Sequence, residues 1–448
     1  MKSRVTELIK IAIPAILESL VAVIVSAVDT SMIKCLGNRA ISAVSFTTQP
    51  KLIVLAIFYA LGTALSFFVA QSFGKKDSKE ANHYFHAILK ITIVLSVLFG
   101  ILLFVFARPV MLLCSKQEDT IDLSVSFFRI IMGFLIFQNL SIVLNSALRG
   151  IGYTKVTFVS SIVMAVVDIF CNYLLIEGHL GFPALGIKGD AIATVMGTLA
   201  ASIISLAVIL KHSDFLHLKG FFSFAEFKEK EIIANIRSKA LNIVFENIFI
   251  RLGFLISSII VSTFPSDKTA VYGVAMILMN YSFAFGDGLS VATIALCGRS
   301  MGAKDYKGLK DYKKLTTISG ILIAVALSLT FVLGAGWFFG IYFSDEAALN
   351  EGFQSAVVIS LITLWQILRI VDVAALRGMG RVVEPRRMAT LCVLILNPSL
   401  SMLFAYGLKM GIWGIWMASL ATQVIWFIAA AIICNFHLRK LGETSDAD

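Results

Sequence analysis

Apolar residues along this chain gather into runs of roughly 20 or more, separated by short polar breaks. A helix needs about 20 apolar residues to cross a hydrocarbon core. The pattern predicts twelve such helices, at residues 8–33, 47–73, 87–107, 121–147, 156–178, 188–211, 239–262, 270–298, 315–341, 353–375, 388–407 and 412–436. Short segments of strictly alternating polarity, the mark of a membrane β-barrel, are absent from the sequence. The first run, Leu8 to Ile33, exceeds a signal-peptide core and has no small-residue cleavage site behind it, so it is expected to be a retained span. The longest polar break, 212–238, mixes aromatic and basic residues and suits an amphipathic connector lying on a leaflet surface.

Composition agrees. Hydrophobic residues make up 58% of the 448 and charged residues 15%, with a mean hydropathy of +0.88, too little charge to cover a water-soluble protein of this length. The net charge of +10 would suggest nucleic acid in a soluble chain. Here the basic residues sit in alternate short loops, so nucleic acid is not an expected partner and the lipid bilayer is. By the positive-inside rule both termini and the central break face the cytoplasm of a multi-pass protein in the cell (inner or plasma) membrane. The six cysteines (Cys35, Cys114, Cys171, Cys297, Cys392 and Cys434) are scattered and form neither a CxxC pair nor a disulfide framework, and are expected to be packing residues.

The two halves of the chain match at one offset, 228 residues. Ser72, Gly74, Lys76 and Asp77 face Ser300, Gly302, Lys304 and Asp305; the ALRGIG of Ala147–Gly152 faces the ALRGMG of Ala375–Gly380; Glu18 faces Glu246, Gln138 faces Gln366 and Thr194 faces Thr422. Several matches at a single offset indicate an internal duplication. Six spans is an even number, so both halves enter the membrane in the same sense. The expected fold is therefore all-α, with two six-helix lobes related by a pseudo-twofold axis along the membrane normal and a substrate path between them. The expected domains are 1–211, a linker at 212–238, and 239–448. Gly74 and Gly302, and the glycines of the two LRGxG motifs, are expected to permit tight turns.

These residues resemble the multidrug and toxic-compound extrusion (MATE) family of cation-coupled exporters. The resemblance covers nearly the whole chain: an acidic first span ending SAVDTSMI, QSFGKKD after the second, ALRGIG after the fourth, NYLLIEGHLGFPALGIKGDAIAT across the fifth and sixth, and their C-terminal counterparts. It implies twelve helices in two lobes forming a V-shaped cleft, alternating access driven by H⁺ or Na⁺, and a monomer.

Candidate chemistry lies in the charges within the spans. An ionised group at the membrane centre costs roughly 2.5–3.5 kcal/mol or more, so it needs a partner, water or a task. Asp29 lies in the first span, and Asp168 and Asn172 stack one turn apart in the fifth. With Thr194 these form a candidate oxygen-rich site, in which carboxylates could exchange a proton or hold Na⁺. The resemblance assigns a coupling role to the acid of the first span, here Asp29. In the fifth span the family's pattern places Asn four residues before Asp; the order here is reversed, which leaves open whether Asp168 or Asn172 is the coupling group. In the C-terminal half, Glu246, Gln366, Asp372 and Asp287 form a possible ion or substrate site. The resemblance places a Na⁺ ligand at the span-ten position of Gln366, where the acid is missing. Asp372 is expected to pair with Arg369 at i+3, and Asp287 stands between Gly286 and Gly288, which could admit a neighbouring backbone.

The functional expectation is an antiporter coupled to H⁺, or alternatively Na⁺, that exports small cationic or amphiphilic compounds. Its 35 Phe and 14 Met could supply an adaptable surface for such cargo. No cofactor or resident metal is expected. The sequence contains no GxxxxGK[ST] motif for direct ATP use, and its six histidines lie in or near loops without HExxH, so an enzyme is not expected. A lipid-linked or polysaccharide flippase of related fold is the alternative.

Overall fold

The computed structural model describes residues 2–114, 118–223 and 229–445. Among the described residues fifteen α-helices occur in the order α1 (Lys2–Ile33), α2 (Asn38–Lys75), α3 (Ser78–Val105), α4 (Ala107–Cys114), α5 (Glu118–Gly133), α6 (Leu135–Gly150), α7 (Thr154–Leu175), α8 (Ile187–His212), α9 (Lys230–Val261), α10 (Ser266–Gly302), α11 (Tyr306–Gly340), α12 (Glu346–Gly378), α13 (Val383–Ala389), α14 (Asn397–Met402) and α15 (Ile412–Ser445). Among the described residues eleven helical segments are long and apolar enough to cross a membrane; a twelfth results if α5 and α6, bent by 48°, form one span. The bend follows Gly133, where α3 comes close: a Cβ on Gly100 would lie 3.1 Å from the Met132 carbonyl. The eleventh span is α13 and α14 interleaved with π-helical turns at Thr390–Leu396 and Leu403–Gly407.

The duplication is visible in the helix limits. α1, α2 and α3 start at residues 2, 38 and 78, and their counterparts α9, α10 and α11 start at 230, 266 and 306, each 228 later. The chain forms two compact units. The C-terminal unit contains Met1–Ser19 and Phe245–Asp448, and the N-terminal unit Leu20–Val244. Counterpart helices α1 and α9 are thus each divided between the units.

The turns after α2 and α10 depart from expectation. Gly74 and Gly302 are helical, and the left-handed residues are Lys76 (φ 60°) and Lys304 (φ 55°). Asp77 and Asp305 then cap the next helices, accepting from Glu80 N–H at 2.9 Å and Gly308 N–H at 2.7 Å. The lysine backbone closes the preceding helix while the aspartate opens the following one, so glycine is not required. In the LRGxG motifs the work is split. Gly152 and Gly380 turn the chain with φ of 86° and 78°, whereas Gly150 and Gly378 are helical and permit close packing. A Cβ on Gly150 would meet Ser66 O at 2.7 Å, and one on Gly378 the Cys297 Cβ at 2.8 Å.

The connector after α8 is strapped along α3. Ser78 Oγ and Asn82 Nδ2 donate to the Phe215 carbonyl at 2.7 and 2.9 Å, Asn82 Oδ1 accepts the His217 N–H at 2.8 Å, and the His86 ring meets the His217 carbonyl at 2.8 Å. Lys90 completes the ladder at the Ser223 carbonyl. The four α3 residues recur every fourth position, one face of a helix. Residues 224–228, in the part expected to be amphipathic, lie outside the described residues. The thiols also divide: Cys297, Cys392 and Cys434 are buried, Cys171 is half-buried, and Cys35 and Cys114 are exposed, which corrects the packing expectation for the last two.

Gly378→Val is expected to lose about 1–3 kcal/mol by overpacking the α10–α12 contact, whereas Lys304→Gly relieves a left-handed side chain and holds or raises stability. Thermal unfolding of the two variants in detergent, followed by tryptophan fluorescence, checks both.

Candidate cation-coupling site

The N-terminal unit builds a polar cluster from four helices. Asp29 comes from α1, Lys51 from α2, Asp168 and Asn172 from α7, and Asp190 from the first turn of α8. Glycines draw α8 onto α7: a Cβ on Gly189 would lie 2.4 Å from the Leu175 carbonyl, and one on Gly197 3.1 Å from the Asp168 Cβ. Asn172 Nδ2 donates to Asp29 Oδ1 at 3.3 Å. The Asp29 and Asp168 carboxyl groups are neighbours that act on each other electrostatically, and like charges held close are not both ionised without cost. Lys51 acts electrostatically on all three acids.

Asp168, Asn172 and Asp190 are buried, at 4%, 0% and 3% exposure, and Asp29 is half-buried. Two buried oxygens, Asp168 Oδ1 and Asn172 Oδ1, have no hydrogen-bond partner. A buried acceptor left unmatched costs about 1–3 kcal/mol and invites a donor or cation. Three carboxyl groups and one lysine leave the cluster short of positive charge.

Three of the four residues singled out from the sequence in this half therefore meet. Thr194 lies one turn beyond Asp190 on α8 and makes no hydrogen bond to the cluster among the described residues. Sequence reasoning missed Asp190 and Lys51. Asp190 precedes Thr194 by four residues, one helical turn on the same face. Lys51 is a basic residue inside the predicted second span, which by itself calls for an acidic partner.

The C-terminal unit treats its acids differently. Glu246, 1% exposed, receives Arg377 Nη2 at 2.8 Å. Asp372, 2% exposed, is paired with Lys313 at 3.0 Å. The expected Arg369–Asp372 pair is not formed. α12 directs Asp372 to α11, while Arg369 turns to α15, donating from Nε to Gln423 Oε1 at 2.9 Å and lying 3.9 Å over the Trp426 ring. Arg369 also acts on Asp287 and Glu246. The glycines around Asp287 do admit neighbours: a Cβ on Gly288 would lie 2.4 Å from Ile16 Cα of α1, and one on Gly286 2.7 Å from the Ile370 side chain. Gln366 is fully buried and neither end of its amide has a partner. The four residues proposed for this half are thus not a matching acidic site. Their charges are met by Arg377, Lys313 and Arg369.

Two successive segments, residues 14–174 and 243–403, match the MatE family model. The chain belongs to the MatE family. The matched segments are the duplicated halves read from the sequence, and together they span most of this MatE chain. The probable multidrug resistance protein NorM of Thermotoga maritima is 23% identical over 459 residues, covering 97% of this chain and 96% of its own. The probable multidrug resistance protein YoeA of Bacillus subtilis is 24% identical over 393 residues, covering 85% and 82%. A solved outward-facing structure of a multidrug resistance MATE family transporter of the MOP superfamily superposes with a TM-score of 0.90 at 15% identity, over 98% of this chain and 96% of that one. The MatE chain is therefore an all-helical, multi-pass membrane protein of a transporter family.

Arg377→Met should destabilise by about 3–5 kcal/mol, because Glu246 is then a buried charge without its partner, and Glu246→Gln combined with Arg377→Met should recover much of the loss. Thermal unfolding of the single and double variants measures that coupling. Lys51→Met should lower the unfolding temperature by a similar margin, with Lys51→Arg intermediate in the same assay.

Proposed function

We propose that this MatE chain is a cation-coupled antiporter, driven by protons in preference to sodium, that exports small cationic or amphiphilic organic compounds by alternating access. The observation that carries the reading is the neighbouring carboxyl pair Asp29–Asp168, with Asn172 donating to Asp29 and with Asp168 Oδ1 and Asn172 Oδ1 left unmatched and buried. Such a pair shares a proton in one state and releases it in another, which is the operation an antiporter needs. Asp190 and Lys51 set the charge against which that proton is held. Thr194 stands close enough along α8 to join if the helices shift, and Asp29, as the accessible member, is where ion and cargo compete.

The C-terminal unit supports the same assignment from the other direction. Arg377, Lys313 and Arg369 neutralise Glu246, Asp372 and Asp287 internally, so this half has little use for an exchangeable cation. Its acids serve as structural ion pairs. Preference for protons over Na⁺ rests on the neighbouring carboxyls themselves, since two acids held close can pass a single proton. The relatives named as multidrug resistance proteins support the cargo class. We further assign the chain to the cell membrane with both termini cytoplasmic, on the charge asymmetry of its loops, and as a monomer, on the family resemblance.

Ethidium efflux from proteoliposomes tests the proposal. A pH gradient alone should drive efflux in wild type, and Asp29→Asn should reduce the initial rate by at least about tenfold, since an amide cannot carry the exchanged proton. Efflux that requires Na⁺ and survives Asp29→Asn would overturn the reading, and absence of efflux under both gradients would favour the flippase alternative.

A further inference from the structure

A cavity of about 460 Å³ lies between the start of α11 and the end of α15 in the C-terminal unit. Its lining is basic: Lys310, Lys313 and Lys314 from α11 face Arg439 from α15, with no carboxylate among the lining residues. Lys313 is engaged by Asp372 at 3.0 Å. Lys310, Lys314 and Arg439 have no ion-pair partner among the described residues. Three uncompensated cations converge on one concave site, and Thr317 and Asn435 add neutral hydrogen-bonding groups to its lining.

The remaining lining residues, Ile318 and Leu438, are apolar, and Ile318 begins a stripe. Ile318, Leu322, Val325, Leu329 and Leu333 follow one another at intervals of three and four along α11, 43–83% exposed. On α15, Ile425, Ile428 and Ile432 do the same, 45–64% exposed, and lead by three residues to Asn435 at the cavity. A soluble anion would use the cations and leave these stripes idle. A molecule with an anionic head and apolar tails would use both.

We propose that this cavity binds the headgroup of an anionic phospholipid, with the phosphate held by Lys310, Lys314 and Arg439 and the acyl chains lying along the exposed stripes of α11 and α15. Basic pockets between transmembrane helices recognise anionic headgroups by this combination of charge and adjoining apolar surface. Because Lys313 faces the cavity while tied to buried Asp372, an occupied headgroup bears on the charge balance of α12 as well. The lipid is thus placed to reinforce the packing of α11, α12 and α15.

The test uses the full chain in nanodiscs containing equal phosphatidylglycerol and phosphatidylcholine, followed by mild delipidation and mass spectrometry of the retained lipid. Each basic side chain at an anionic surface favours the anionic lipid roughly fivefold, so retained phosphatidylglycerol should exceed phosphatidylcholine by at least about tenfold. The Lys310→Gln, Lys314→Gln, Arg439→Gln variant should return the ratio to near unity, and Arg386→Gln with Arg387→Gln should leave it unchanged. Equal retention of the two lipids by wild type would overturn the proposal. So would displacement of phosphatidylglycerol by millimolar inorganic phosphate, which would make the cavity a site for soluble anions. Should the triple variant not fold, a photoreactive phosphatidylglycerol on wild type decides: crosslinks within residues 306–322 and 432–441 support the site, and crosslinks confined to other segments refute it.

Discussion

A charge inside a membrane protein must be matched, and this chain matches its charges in two different ways. In the C-terminal unit the partners are built in: Arg377 meets Glu246, Lys313 meets Asp372, and Arg369 lies over Trp426 among Gln423, Asp287 and Glu246. In the N-terminal unit Lys51 alone serves Asp29, Asp168 and Asp190. The first arrangement is closed, and locks helices together. The second leaves three carboxyl groups against one lysine, which is the feature on which the proposed proton exchange rests. Removing a partner from a closed pair costs several kcal/mol, because the remaining charge is buried alone.

The two solutions have grown from one template. Helix starts recur at the 228-residue offset, the Lys–Asp turn that joins α2 to α3 is repeated between α10 and α11, and both LRGxG motifs divide their glycines between packing and turning. What has changed is the chemistry mounted on the frame. Asn172, which donates to Asp29 in the N-terminal cluster, would fall at Leu400 in the second half; Gln366, whose amide is buried without a partner, faces Gln138 in the first. Duplication fixes the scaffold cheaply in information, and divergence of a few intramembrane side chains gives one half an acid-rich cluster and the other a set of paired charges.

Most of the fold was legible because the bilayer imposes it: apolar runs of fixed length mark helices, and an even number of spans per repeat fixes their relative sense. The bend at Gly133 and the π-helical turns near residues 390–407 were not, since both depend on packing rather than hydropathy. At the site, Asp29, Asp168 and Asn172 could be read as a group because helical spacing aligns them. Asp190 was hidden in a motif at a span boundary, and Lys51 lies near the start of its predicted span, where a basic residue passes for the edge of a loop. Asp372 misled for the opposite reason. Its spacing suggested Arg369, but Trp426 and Gln423 offered the guanidinium a better place, and Lys313 was available from another helix. Sequence spacing identifies which residues can meet on one helix, and says little of which neighbour wins across helices.

The division of labour between the units is tested most directly by counting protons. Addition of ethidium to purified protein in unbuffered detergent solution, with a pH-indicating dye, measures protons displaced by cargo without requiring transport. We expect wild type to release protons, Asp29→Asn and Asp168→Asn to abolish the release, and Glu246→Gln to retain it. Release that persists in both N-terminal variants and disappears in Glu246→Gln would contradict the assignment and place the exchangeable charge in the other unit.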